Sequence, residues 1–212
     1  MRSTIGMKVL LTGILAIAML VSGAAAKDDE IENMLPNPDF ESATSGWSIS
    51  GGFGILTISK EEDPIGGVGS AVFAEVINVG AENWEPEIHS PPFPLEQGKK
   101  YTYSFWAKAE PDSVRTLSPR FEQLDTWVGI GQDITVTDEW QEFHFTGVWT
   151  DPSSPPQVVI HIGFNKQLDD VWFSHFRVYE GDYVQEDIEG QQKISVTPMD
   201  RLATAWGQIK SR

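Results

Sequence analysis

Along the middle of the chain, apolar and polar residues alternate with the two-residue period of β-strands. The clearest run is Tyr101 to Ala109, where Tyr101, Tyr103, Phe105 and Ala107 alternate with Thr102, Ser104, Trp106 and Lys108. It follows the Gly98-Lys99-Lys100 turn and stops at Glu110-Pro111. This pattern predicts a central strand with one face on a core and the other half exposed. Its inward face is largely aromatic, and each fully buried aromatic ring stabilises by about 1.5–3 kcal/mol. Similar signals recur at Gly54 to Ile58, Ala71 to Val79, Trp84 to His89, Leu117 to Leu124, Ile130 to Val136, Trp140 to Trp149, Val158 to Phe164 and Val171 to Tyr179. Pro-Asp-Ser, Thr-Asp-Glu and Asp-Pro-Ser-Ser-Pro-Pro separate them, all turn chemistry. Many short strands punctuated by turns predict an all-β fold, a β-sandwich of jelly-roll type.

The flanks read differently. Asn33 to Trp47 mixes turn formers with aromatics, and Pro36 and Pro38 force extended backbone, so it is expected to wrap an edge with Phe40 and Trp47 as anchors. Residues 184–212 form a polar linker followed by a short helix. There Thr197-Pro198 serves as cap and first position, and Leu202, Ala205, Trp206 and Ile209 form one apolar stripe. At the other end, Arg2 and Lys8 precede an apolar run from Val9 to Val21 and the small residues Ala24-Ala25-Ala26. Residues 1–26 therefore read as a secretory signal peptide, and the folded body as residues 33–183 of a secreted protein, extracellular or periplasmic. No later segment is apolar enough for membrane insertion.

Composition narrows the partners. The chain of 212 residues contains no cysteine, so a secreted domain must be held by its core rather than by disulfides. A formal charge of −16, more negative once Arg2 and Lys8 leave with the signal, disfavours nucleic acid, anionic lipid and polyanionic ligands. Neutral ligands are indifferent to it. The four histidines, His89, His144, His161 and His175, are scattered without metal-ligand spacing along the chain. There is no cysteine nucleophile and no G-x-S-x-G elbow. Catalysis by a carboxylate pair drawn from Glu85, Glu87 and Glu122 has no positive support, so no enzyme is expected.

Several of these segments together resemble a known family. Asn37-Pro38-Asp39-Phe40-Glu41 with Ser45-Gly46-Trp47, Asn83-Trp84-Glu85, the Tyr101 to Ala109 strand, Glu139-Trp140-Gln141 and the closing Val171 to Val178 strand are similar to carbohydrate-binding modules of families four and nine. The resemblance runs in order over Asn33 to Glu180. It implies a galactose-binding-like jelly roll and a non-catalytic module of the kind often attached to glycoside hydrolases. It also implies a structural calcium, held by Glu41 and an Asp of the last strand. Ser174 stands where that Asp is expected, and Asp169 and Asp170 are the alternative candidates.

In the usual strand order, the strands at Ala71, Tyr101, Trp140 and Val171 form one sheet, and those at Trp84, Leu117, Ile130 and Val158 the other. In the resembled family the second sheet is often concave and grips a glycan. Sugars need an aromatic platform and planar polar groups that can bond paired hydroxyls. Alternation on the second sheet turns Glu85 and Glu87, Arg120 and Glu122, and His161 and Asn165 outward, with Trp84 near the core end and Trp127 as a stacking wall. The ordinary readings stand beside these: Arg120 with Glu122 as an exposed ion pair, His161 as a surface histidine and Trp84 as core. The expected partner is a neutral polysaccharide or glycan of β-glucan or xylan type. The alternative is an adhesion or assembly domain that binds protein through the C-terminal helix.

Overall fold

The computed structural model describes residues 31–59, 71–152 and 157–185; the expected signal peptide and the expected C-terminal helix lie outside them. The strands are β1 (Ser48–Ile49), β2 (Gly54–Ile58), β3 (Val72–Val76), β4 (Glu87–His89), β5 (Lys100–Ala109), β6 (Arg115–Gln123), β7 (Gly129–Gly131), β8 (Ile134–Val136), β9 (Gln141–Val148), β10 (Val158–Gly163) and β11 (Val171–Glu180). They form two antiparallel sheets. One runs β2-β3-β11-β5-β9; the other runs β1-β4-β10-β6-β7, with β8 also paired to β6. The strands at Ala71, Tyr101, Trp140 and Val171, and those at Trp84, Leu117, Ile130 and Val158, divide as the usual strand order predicts.

The core lies between the sheets. Tyr101, Tyr103, Phe105 and Ala107 of β5 face Leu117 and Phe121 of β6 and Val158, Ile160 and Ile162 of β10, all buried. The Phe105 ring lies 5.5 Å from Phe176, 5.7 Å from Phe143 and 6.1 Å from Phe173. Aromatic pairs at such spacing add to the gain from burial alone.

Strand β11 changes phase midway. Val171 and Phe173 point inward, then a bulge between Ser174 and Arg177, with His175 at φ 51°, lets Phe176 and Val178 point inward as well. One extra residue restores an inward aromatic. Beyond the bulge, where β3 has ended, the N-terminal segment takes its place. Met34 donates its N–H to the Val178 carbonyl at 2.8 Å, and the Asn33 side chain bonds both Phe176 and Val178 backbone. Phe40 and Trp47 then close over Phe176, at 5.9 and 4.6 Å. They are the expected anchors.

Three details depart from expectation. The outer face of β5 is covered rather than half exposed, since Thr102 and Ser104 are both buried. Thr102 donates to the Gly181 carbonyl, Arg177 and Tyr183 both donate to Glu142, and Tyr183 stacks on His144. The strand drawn from Trp84 begins only at Glu87, because Pro86 has no N–H for a ladder. The run from Ile130 to Val136 is broken in two, with Asp133 between the halves accepting from the Ser118 hydroxyl.

Phe105→Ala should lower the urea midpoint by about 3–5 kcal/mol of stability, since Phe105 is fully buried among four rings. A variant that kept the wild-type midpoint would remove this ring cluster from the core.

Candidate functional site

Every residue of β10 is buried, although only alternate ones face the core. Its outward positions are Val159, His161 and Gly163. Strand register sets Ser48, His89, His161, Arg120 and Gly131 in one row across five strands. In the flanking rows Val159 lies opposite Glu122, and Gly163 lies between Glu87 and Ser118. Neighbours on one face of a sheet interact across strands. Here the neighbours of an imidazole are two carboxylates and a second imidazole.

The contacts are close. His161 Nδ1 is 2.7 Å from Glu122 Oε1 and 3.8 Å from Glu87 Oε1. His89 Nε2 is 3.1 Å from Glu87 Oε2, and the two imidazole rings are 4.3 Å apart. The His161 side chain is only 3% exposed, and those of Glu87 and Glu122 15% and 13%. His161 is thus no surface histidine. Above this floor opens a cleft of about 530 Å³ lined by Trp84, Glu87, Glu122 and Trp127.

Two loops supply the walls. The loop before β4 is seated on the end of β10 by Phe164, which donates to the Pro86 carbonyl at 3.0 Å, and by Lys166, which reaches the Ala81 carbonyl at 2.5 Å. Gly163 makes this possible: a Cβ there would stand 3.1 Å from Trp84 Cα. The loop between β6 and β7 is closed by the Trp127 N–H bonding the Gln123 carbonyl at 2.9 Å and by Thr126 donating to buried Asp151. Trp84 is 51% exposed and Trp127 62%. Both indoles line the cleft, one on each wall.

The structure therefore brings together Trp84, Glu87, Glu122, Trp127 and His161. Three expected residues do not join them. Glu85 turns back to its own loop, accepting from the Glu82 N–H. Arg120 faces outward as expected, but bonds the Gly131 carbonyl and pairs with Asp133 rather than Glu122. Asn165 bonds the Ser118 hydroxyl and the Thr116 carbonyl, away from the cleft lining. Trp84 is not near the core; its strand starts three residues later. His89 was missed. It sits two residues after Glu87 on a strand, so both face one side, and β4–β10 pairing sets it beside His161.

The calcium candidates are dispersed. Glu41 is exposed on the turn beside Phe40, which packs on Phe176. Asp169 and Asp170 precede the start of β11, about 20 Å of strand from Phe176. Their groups hold other parts of the fold. Asp169 accepts from the Ser113 hydroxyl and, through its carbonyl, from Arg115; Asp170 accepts the Val76 N–H at 2.8 Å. Burial lowers the Arg115 guanidinium to about 10 against the pull of Asp169, Asp170 and Glu110. At the N-terminal turn, the His175 imidazole stands 3.4 Å from Asp39. Calcium takes roughly six to eight oxygen donors, and Asp169 and Asp170 are already engaged by Ser113, Arg115 and Val76.

The fold and the cleft define a β-sandwich module with an aromatic-walled surface site. The sequence profile of the carbohydrate binding domain family CBM 4/9 matches residues 32–167, and the chain belongs to that family. Among solved structures it is similar to one described as "CBM4 structure and function", with 22% identity, a TM-score of 0.55, and coverage of 69% of this chain and 99% of that one. It is also similar to the CBM22-1 xylan-binding domain of Paenibacillus barcinonensis Xyn10C, with 12% identity, a TM-score of 0.55, and coverage of 73% and 97%. At these identities the likeness is one of fold. No curated protein matches the sequence.

Gly163→Val should lift the loop that carries Trp84, at about 1–3 kcal/mol of overpacking. In hydrogen exchange, the Phe164 amide that bonds Pro86 should lose protection while the β5 amides keep theirs. Unchanged exchange at Phe164 would mean that the loop does not depend on Gly163.

Proposed function

We propose that the chain is a secreted, non-catalytic module that binds a neutral polysaccharide, of β-glucan or xylan type, on the outer face of the sheet containing β10. The single observation behind this is the pair of half-exposed indoles, Trp84 and Trp127, walling a cleft whose floor carries Glu87 and Glu122. Indoles offer flat apolar faces to the C–H faces of a sugar ring. Carboxylates accept from its hydroxyls and hold the ring in register. An acidic floor on a chain of formal charge −16 repels uronic-acid polymers, which favours neutral ones.

Binding rather than cleavage is favoured by how the carboxylates are used. Glu122 and Glu87 are both engaged with His161, and Glu87 also with His89. Secretion rests on the leader sequence, and no helix among the described residues is long and apolar enough to cross a membrane.

Affinity gel electrophoresis in xylan, β-glucan and cellulose tests the reading, with xylan first because the similar Paenibacillus domain is described as binding it. At least one polymer should retard the protein. Trp84→Ala and Trp127→Ala should each weaken retardation by about 2 kcal/mol, some thirtyfold, as buried aromatic anchors do. Their thermal midpoints should stay near wild type, because both side chains are exposed. Wild-type mobility in all three polymers would end the proposal.

A further inference from the structure

Glu87, His89 and His161 each present a donor atom, and the three lie within 4.8 Å of one another. The distances suit a single ion. His89 Nε2 is 3.1 Å from one Glu87 oxygen and His161 Nδ1 is 3.8 Å from the other. Tetrahedral ligands around zinc, bonded at about 2.0–2.2 Å, stand about 3.4 Å apart. Glu122 Oε1, 2.7 Å from His161 Nδ1, is at hand as a fourth donor.

Charge and hydrogen bonding point the same way. Among the described residues, no Lys or Arg pairs with Glu87 or Glu122; their close side-chain partners are the two imidazoles. Two largely buried carboxylates thus face two imidazoles across the sheet. His89 Nε2, 3.1 Å from Glu87 Oε2, lies there without hydrogen-bond geometry. A dication at this point meets carboxylate oxygen and gives His89 Nε2 a bond. Two nitrogens and carboxylate oxygen select a borderline first-row ion such as zinc over calcium or magnesium, which favour all-oxygen sets.

We propose that Glu87, His89 and His161 form a divalent transition-metal site in the floor of the cleft, with Glu122 as a fourth donor. This goes beyond the polysaccharide reading and does not require it. A zinc titration without sugar tests the metal site; a polysaccharide gel run with chelator present tests the glycan site. Either can fail while the other stands.

The experiment is isothermal titration calorimetry of zinc chloride into the untagged, chelator-stripped chain. One zinc per chain is expected. His89→Ala removes a ligand whose side chain is one-third exposed, so folding should survive, and affinity should fall at least about tenfold. His144→Ala, on the other sheet against Tyr183, should bind as wild type does. Glu87→Gln should weaken binding as His89→Ala does. Absence of saturable zinc binding would overturn the proposal. So would equal affinity in wild type and His89→Ala, or displacement of zinc by an equal concentration of calcium.

Discussion

Strand β10 is buried on both faces, and most of what distinguishes this molecule follows from that. Its inward residues are apolar and meet the opposite sheet. Its outward residues include an imidazole, and a buried polar group without a partner costs about 1–3 kcal/mol. The strands on either side supply the partners: β6 brings Glu122, and β4 brings Glu87 and His89. What buries β10 from outside is a pair of loops, and these loops carry the two open indoles. The polar floor and the aromatic walls are therefore two results of covering one strand.

Alternation made much of this legible. It set the core side of β5, β6 and β10 and turned Glu87, Glu122 and His161 outward, while the usual jelly-roll order divided the strands between the sheets. It failed where chain direction changed. Extending the alternation back through Pro86 put Trp84 near the core and Glu85 on the floor, whereas the chain there is already a loop. It was also blind to register. His89 and His161 are far apart in sequence, and only the pairing of β4 with β10 makes them neighbours. Arg120 shows the same limit: its outward direction was readable, but Asp133, the partner that draws it from the cleft, sits beyond β7.

The residues that carried the family resemblance turn out to hold the sandwich together more than they hold a ligand. Asn37, at φ 50°, bonds the carbonyls of Ala43 and Ser45 and accepts from the Ser42 N–H, while its own carbonyl takes the Trp47 indole N–H. One side chain thus shapes the turn that delivers Phe40 and Trp47 to Phe176. The bulge in β11 was present in the spacing of Val171, Phe173, Phe176 and Val178, which shifts from odd to even positions. Ser174, where the resemblance expects an acid, stands at the start of this bulge, and the neighbouring His175 imidazole lies 3.4 Å from Asp39.

The turn that presents Trp127 has a further consequence, for the entropy of association. Its backbone is already tied at Gln123, and Thr126 is anchored on buried Asp151. A ligand arriving there orders little main chain; what it immobilises is the torsions of an indole, at about 0.5–1.5 kcal/mol for such a side chain. The opposite wall is likewise tied to β10, through Phe164 and Lys166. Most of the stacking free energy is then left as affinity. The cleft is pre-organised on both sides.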